Sequence, residues 1–189
     1  MEDGMAVDQS LKGAFLLDSG KLKGSFFEKT VIYLCQHDLE GSFGFVINRP
    51  TGSTLGKVVE ANLPESIKSL PLYLGGPVQT DVLSYLHADG GLIKTNIVPG
   101  IEFGNSIEGL LELVGNYSPS KEIKVFGGYS GWGSGQLEQE LKSGAWFVHQ
   151  SSIDSIFSIP AKDIWNHLLA EMGPEYKLIS QQPEDPSLN

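Results

Sequence analysis

A run rich in glycine and serine occupies residues 125–141, VFGGYSGWGSGQLEQEL, and has the composition of segments that bind phosphate or present a nucleophile. A phosphate-binding P-loop requires lysine followed by serine or threonine at the start of its helix, and this run contains no lysine. A nucleophile elbow requires G-x-S-x-G, but Trp132 follows Gly128 and Ser130 where the second glycine belongs. The dinucleotide pattern G-x-G-x-x-G is also missing, because the last three glycines are spaced by two throughout.

The main-chain N–H groups of this glycine-rich run suggest a second function, which is the binding of an anion. A strand, a glycine turn and a helix N-terminus together can bind a small anion. Against this, Glu138 and Glu140 lie near the first turn of the following helix, where they interact with the helix dipole and repel an anion. The pattern therefore favours a structural bend at residues 127–135, and a ligand-binding loop is the alternative.

Glycine and proline interrupt the predicted strands at residues 48–50, 75–77 and 127–135, and strand ends often gather at one edge of a sheet. If they do, Arg49 is a fixed positive charge beside glycine turns, suited to a carboxylate or phosphate group. The alternative is that Arg49 forms a structural ion pair or binds loop carbonyls. The predicted ligand-binding residues are Arg49, Gly76, Gly128, Ser130, Gly131 and Trp132.

Cys35 and His37 are two apart on a predicted strand, so we expect them to share one face. Such a pair can act as nucleophile and base or as two metal ligands. The alternative, which we favour, is an inert buried thiol beside a turn histidine that binds Asp38 or the backbone. The remaining histidines fall in three different predicted elements without metal-ligand spacing, so we predict no metal site and no catalytic residue. They are His87, His149 and His167.

Strands must position these residues. Residues 31–48 predict two strands joined by a polar turn ending at Gly41, and the first strand is apolar on both faces, hence central. The sequence NRPTGST then breaks the chain. A turn is predicted at residues 79–81. Further strands are predicted at residues 70–78, 82–88, 92–98, 122–128 and 145–150.

Helices are predicted from apolar residues at a spacing of three and four. Asn105 and Glu108 have the form of a capping box, and Gly115 is suited to the C-terminal cap of the same helix. Shorter or later helices are predicted at residues 55–59, 135–144 and 160–173.

Size and composition predict one globular domain. The 189 residues, 40% of them hydrophobic, are divided into a flexible N-terminus at 1–10, a single domain at 11–176 and a flexible acidic tail at 177–189. No window resembles a membrane span or a secretory signal, and the single cysteine cannot form an internal disulfide. We therefore expect a cytoplasmic protein that does not bind a membrane.

Charge disfavours nucleic acid as a partner. The chain has 13 lysines and arginines against 23 acidic residues, a net charge of −10, and shows no basic cluster. Because nonspecific nucleic-acid affinity comes largely from lysine and arginine displacing counterions, direct binding is not expected.

The motifs GKLKGSFFEKTVIYLCQHDLEGSFGFVINRPTG, LYLGGPV, VFGGYSGWGSGQLEQEL and AWF follow one another within roughly residues 13–147. In this order and spacing they resemble the YqgE/AlgH family of bacterial proteins. The resemblance implies an α+β fold, in which a mixed, largely antiparallel, bifurcated sheet forms a pseudo-barrel with helices packed outside. Many family members carry a transcriptional-regulator label, but the resemblance implies no activity. Ser130 and Ser134 replace the alanine and proline expected there, which argues against a shared serine nucleophile.

We therefore expect a non-catalytic binding or regulatory module that acts through a protein partner or a small ligand, without a cofactor. An enzyme or small-anion-binding protein using residues 127–135 is the first alternative, and it requires a pocket with convergent polar groups such as Arg49 and Ser130. A DNA-binding transcriptional regulator is the second alternative, and the net charge of −10 disfavours it.

Overall fold

The computed structural model describes residues 10–59, 62–88, 101–116 and 122–180. The strands are β1 Ala14–Asp18, β2 Val31–Asp38, β3 Gly41–Val46, β4 Pro50–Thr54, β5 Pro71–Leu74, β6 Val78–Ala88, β7 Ile101–Gly104, β8 Ile123–Gly133 and β9 Trp146–Gln150. The helices are α1 Leu55–Val58, α2 Glu65–Lys68, α3 Ile107–Asn116, α4 Gln136–Lys142, α5 Ile153–Phe157, α6 Ile164–Met172 and α7 Pro174–Ser180.

The hairpin of β2 and β3 confirms the two strands predicted within residues 31–48. β2 lies between β1 and β3 and is antiparallel to both. Its first five residues are buried. A strand covered on both faces needs apolar side chains on both, which is why the sequence of β2 does not alternate.

The long strand β8 changes partners along its length and thereby divides the sheet. Residues 125–127 pair in parallel with β5, and residues 123–127 pair antiparallel with β6. Beyond this point, residues 130–133 pair antiparallel with β3. The sheet path is β4-β5-β8-β3-β2-β1-β9, with β6 and β7 branching from β8. This is the predicted α+β fold with a mixed, bifurcated sheet, and the described strands do not close into a barrel.

Three hydrophobic clusters fill the space between the sheet and the helices outside it. The first includes Phe126 of β8 and Leu168 of α6. The second includes Leu110 of α3. The third includes Ile32 of β2 and Leu137 of α4, on the opposite face of the sheet. The clusters explain the helical spacing of apolar residues, because each helix buries one face against the sheet.

Some elements differ from the sequence predictions. The predicted chain break after Asn48 instead contains β4, which pairs with β5 and is joined to it by a hydrogen bond from the Thr51 hydroxyl to the Leu72 carbonyl, 2.9 Å long. The predicted turn at residues 79–81 lies within β6, whose register against β8 shifts after Val78. α7 continues into the predicted acidic tail.

Other predictions fall outside the described residues. These include the predicted strand at residues 92–98, most of the predicted flexible N-terminus and the end of the predicted tail.

Helix α3 is capped one residue later than the sequence suggests. The Ser106 hydroxyl, rather than the Asn105 amide, accepts the N–H of Gly109 at 3.0 Å. Serine is as effective an N-cap as asparagine, so the choice between adjacent residues depends on tertiary packing. The helix runs to Asn116, and Gly115 therefore lies inside it rather than at its C-terminal cap.

Candidate functional site

The glycine-rich run is mostly strand, which corrects the predicted bend or loop at residues 127–135. β8 continues to Gly133, and only the two residues before α4 form a turn. The strand persists because the β2–β3 hairpin supplies a partner, pairing Gly44 with Ser130 and Gly41 with Gly133. The main-chain N–H groups of this segment therefore largely serve the sheet.

Two of the predicted ligand-binding glycines allow main chains to approach at the fork of the sheet. A Cβ at Gly76 would lie 2.1 Å from the carbonyl carbon and oxygen of Tyr129. Gly128 has a φ of +71°, which favours glycine. Ser130 is fully buried, and its hydroxyl donates to the Gly75 carbonyl at 3.1 Å. These three predicted site residues, Gly76, Gly128 and Ser130, hold the fork together.

Arg49 binds loop carbonyls, which is the structural alternative to an anion-binding role. Its Nη2 donates to the carbonyls of Phe26, at 3.4 Å, and Glu28. The neighbouring Asn48 accepts the N–H of Val31 at 2.9 Å and donates to the Lys29 carbonyl at 2.9 Å. The side chains of the Asn-Arg pair therefore fasten the segment between β1 and β2.

The buried carboxylate of Asp18 holds the same segment from its other side. Its oxygens accept main-chain N–H groups from Gly20 at 2.9 Å, Leu22 at 3.2 Å and Lys29 at 2.8 Å. A carboxylate that accepts three such bonds fixes a loop without regular secondary structure. The sequence GKLKGSFFEKT is thus organised by residues outside it.

A cleft of about 680 Å³ opens where β8 leaves β6 and joins β3, and we call it the fork cleft. Its aromatic lining residues are Phe43, Phe45, Phe103, Tyr129 and Trp132. Its polar lining residues are Gln36, Glu40, Ser42, Gln79, Ser84 and Asn105. Gly41, Val78, Val82 and Gly131 complete the wall. Of the predicted ligand-binding residues, only Gly131 and Trp132 belong to this lining.

Only one face of β3 and β8 is directed into the fork cleft. Phe43 pairs with Gly131, and the adjacent pair of Ser42 and Trp132 lies on the opposite face because side chains alternate along a strand. The indole of Trp132 accordingly packs in the third cluster with Leu137. Ser42 and Trp132 therefore border the cleft with their main chain.

Phe43 is at the centre of an aromatic group in the fork cleft. Its ring meets those of Phe45, Phe103 and Tyr129 edge to face, with centroid distances of 6.1, 5.4 and 6.2 Å. Phe103 is 38% exposed, and the Phe43 and Tyr129 side chains are partly exposed. Aromatic ring surface is therefore accessible to a molecule in the cleft.

Polar groups without intramolecular partners stand among these rings. The Ser84 side chain is 9% exposed and lies beside Phe126 in the pairing of β6 with β8. Within the described residues, the side chains of Glu40, Gln79, Ser84 and Asn105 make no hydrogen bond. The fork cleft thus combines apolar surface with free donors and acceptors, as small-molecule sites do.

The site residues predicted from the sequence do not include Phe43, Ser84, Phe103 or Asn105. A signal for the first was present, because Phe43 and Phe45 alternate on one face of a predicted hairpin. No local signal marks the others, since they reach the cleft through the pairing of β6 with β7 and β8.

Cys35 and His37 do not share a face, which corrects the sequence prediction. The register of β2 against β3 shifts between Leu34 and Gln36, so a β-bulge at Cys35 reverses the alternation. Cys35 packs in the first cluster, where burial raises the pKa of its thiol well above the ordinary value. The His37 Nδ1 accepts the Leu11 N–H at 2.9 Å.

The other ring nitrogen of His37 lies 3.0 Å from a carboxylate oxygen of Glu138 in α4, on the side of the third cluster. The pair therefore has neither the geometry nor the thiolate character of a nucleophile and base. His37 instead connects the hairpin to α4.

The remaining histidines each lie near a carboxylate. His87 is 3.8 Å from Glu102 across β6 and β7. His149 and His167 contact the two oxygens of Glu171 at 3.4 and 3.2 Å. Among the described residues, no set of three or more His, Cys, Asp or Glu side chains is arranged to hold a metal ion.

Comparison with known proteins identifies a family and several relatives of this chain. A family model described as AlgH-like matches residues 15–177. A UPF0301 protein of Chlorobium phaeobacteroides is 41% identical over 182 residues, covering 94% of this chain and 95% of that protein. A UPF0301 protein of Cytophaga hutchinsonii is 35% identical over 182 residues, covering 94% of this chain and 98% of that protein.

Solved structures share the fold. The solution structure of the AlgH protein from Pseudomonas aeruginosa matches with a TM-score of 0.74 at 29% identity, covering 97% of this chain and 100% of that chain. A crystal structure of a Corynebacterium diphtheriae protein matches with a TM-score of 0.72 at 19% identity, covering 95% of this chain and 94% of that one. In the part of this chain that is described, no helix has the length and apolarity to cross a lipid bilayer.

Proposed function

The chain belongs to the AlgH-like family, and we propose that it is a non-catalytic binding module that takes a small ligand in the fork cleft. The observation that carries the proposal is the Ser84 side chain, which is 9% exposed, lines the cleft and makes no hydrogen bond within the described residues. Its oxygen keeps some exposure to the cleft, where it can bond to a ligand. A hydroxyl left open among aromatic rings is suited to a ligand.

Size and composition of the cleft support a small molecule as the occupant. Its volume of about 680 Å³ falls in the range of roughly 300–1,000 Å³ typical of small-ligand sites. The aromatic group around Phe43 supplies apolar surface, and the Asn105 and Gln79 amides supply directional contacts at the rim. This combination gives both affinity and orientation.

The same lining counts against catalysis. Acid–base and nucleophilic mechanisms need a nucleophile within hydrogen-bond reach of a base. Among the lining residues that the structure describes, Glu40 and Tyr129 are the only ionisable side chains. Ser130 and Ser134, the two serines of the glycine-rich run, each donate to a main-chain carbonyl.

A regulator that binds DNA directly is disfavoured by the net charge of −10, and the described lining of the cleft includes no lysine or arginine. A protein partner is the remaining alternative, because Val82 and Phe103 are 39% and 38% exposed at the same cleft. It predicts that no small molecule stabilises the protein.

A thermal-shift screen of small molecules, followed by NMR mapping, tests the proposal. A ligand present at 100 times its Kd adds about 2.7 kcal/mol to stability, which raises the Tm of a domain of this size by roughly 5–10 °C. The main-chain N–H resonances of Gly131 and Phe103 should shift on binding, because both residues line the cleft.

Matched variants assign the binding to the cleft. Ser84→Ala and Phe103→Ala should each weaken the ligand about tenfold, by removing a hydrogen bond or ring contact. Val148→Ala is the control, because Val148 is exposed to a similar degree, 40%, on β9. Equal loss in all three variants, or resonance shifts confined to other surfaces, would refute a site in the fork cleft.

A further inference from the structure

We propose that the ligand of the fork cleft is a small organic cation, an ammonium group carrying apolar substituents. This inference rests on the proposed function and specifies its ligand class. It is carried by the juxtaposition of accessible aromatic rings with one unpaired carboxylate, in a lining whose described residues include no lysine or arginine.

The aromatic rings supply the first part of the recognition. The rings of Phe103 and Tyr129 have centroids 5.4 and 6.2 Å from that of Phe43, and all three are partly exposed. Aromatic faces carry negative electrostatic potential and attract ammonium groups, and quaternary ammonium ligands are held in this way by aromatic cages. The neighbouring Phe45 ring extends the same group inward.

The charge of the cleft lining supplies the second part of the recognition. Among the described lining residues Glu40 is the only charged side chain, and it forms no ion pair with any of the described part of the chain. A neutral ligand makes no use of this carboxylate, and an anion is repelled by it. The net charge of −10 on the whole chain also favours the approach of cations.

A second negative charge lies beside Glu40 at the tip of the β2–β3 hairpin. The Asp38 carboxylate accepts the Glu40 N–H at 2.9 Å and the Gln36 amide at 2.7 Å. These bonds, the first most strongly, hold the pKa of Asp38 below its ordinary value. The hairpin side of the cleft therefore stays negative under mildly acidic conditions.

Ser84 lies on the inner wall, where its hydroxyl can bond to a hydroxyl or carbonyl elsewhere on the cation. The predicted ligand thus has an alkylated ammonium at the aromatic rings and Glu40, and a short polar extension toward Ser84. Choline has this chemistry and serves as the probe.

The experiment compares choline with its neutral carbon isostere, in which a tert-butyl group replaces the trimethylammonium group. Both are titrated into the wild-type protein while the N–H resonances of Gly131 and Phe103 are followed by NMR. We expect choline to shift these resonances saturably and to bind at least about tenfold more tightly than the isostere. The affinity for choline should fall with added salt, because the cleft is open to solvent.

Two variants separate the charge from the rings. Glu40→Gln should weaken choline about threefold to tenfold and leave the isostere unchanged, since only the charge is removed. Phe103→Leu should weaken choline more than the isostere, because it keeps an apolar side chain but loses the ring. Glu65→Gln, an exposed residue in the first turn of α2, is the control and should change neither.

The outcomes distinguish the two proposals. If choline and the isostere bind the cleft equally, the cation inference is wrong and the proposed function stands. If neither perturbs the cleft resonances, the cation inference is also wrong, and the small-molecule screen then decides whether the cleft binds another class of ligand. Choline binding that is insensitive to Glu40→Gln and Phe103→Leu would likewise contradict the inference.

Discussion

The indole Nε1 of Trp132 donates to the Oε2 of Glu140 at 2.9 Å. The same oxygen accepts the Nε1 of Trp146 at 2.7 Å, and the second oxygen accepts the Gln136 amide at 3.0 Å. One carboxylate of α4 therefore fastens two strands, β8 and β9, to the helix. The tryptophan at the centre of the glycine-rich run is held from within the fold, and it supports the wall of the fork cleft from behind.

Replacing Glu140 by glutamine should destabilise the protein by about 1–2 kcal/mol, because hydrogen bonds to a charged acceptor are stronger than those to an amide. The change preserves side-chain volume, so it creates no cavity. Thermal unfolding should show a Tm lower by roughly 2–8 °C. Tryptophan emission should shift to the red as the indoles loosen.

The control for this change is Glu65→Gln, at an exposed position in α2. An unchanged Tm and unchanged emission in Glu140→Gln would show that the two indole contacts carry little free energy.

Arg49→Lys should loosen the segment between β1 and β2 without changing ligand binding in the fork cleft. Lysine lacks the planar guanidinium that reaches the Phe26 and Glu28 carbonyls. Loss of these charge-assisted hydrogen bonds should lower the free energy of unfolding by about 1.5–3 kcal/mol. Hydrogen exchange at residues 20–30 should become faster. Loss of ligand binding with unchanged exchange would instead support the anion-binding role considered for Arg49.

The local sequence correctly predicts those elements whose structure depends mainly on their own residues. Continuous apolar residues identified β2 as a central strand, and the spacing of Leu137 and Leu141 identified α4. β4 was missed because Pro50 and Gly52 have the composition of a turn, and its strand character depends on pairing with β5.

The candidate site was harder to predict because its residues meet through long-range pairing. Phe103 joins Phe43 only after β7 pairs with β6, and β6 pairs with β8. The bulge that separates Cys35 from His37 likewise depends on the partner strand β3. The sequence predicts Gly76 and Gly128 as ligand contacts, but in the structure these glycines allow two main chains to approach closely.

Gly76→Ala should be strongly destabilising, whereas Gly133→Ala should be nearly neutral. A Cβ at Gly76 would meet the Tyr129 carbonyl group at 2.1 Å, and main-chain atoms cannot move aside without disturbing the fork. We expect a loss of about 3 kcal/mol or more. A Cβ at Gly133 meets nothing within 4 Å, so it serves as the matched control. Urea unfolding measures the stability of both variants. Equal stability would show that the main chain at the fork moves to accommodate the added Cβ.

Lys124 is a buried amine within the sheet. It is 7% exposed, and its Nζ lies 3.5 Å from the Ile47 carbonyl and 4.2 Å from the centroid of the Tyr73 ring. No carboxylate forms an ion pair with it in the described part of the chain. Desolvation therefore lowers its pKa from 10.5 to about 8.

Lys124→Met should stabilise the protein, and the gain should be about 3 kcal/mol larger below pH 8 than above pH 10.5. In the wild type the folded state disfavours the charged amine, so the penalty is complete below pH 8 and fades as the amine loses its proton. Urea unfolding across this range should compare both proteins, because burial also raises the pKa of Cys35, whose opposing effect at high pH is present in each. A gain independent of pH would show that the Lys124 amine keeps its ordinary pKa inside the fold.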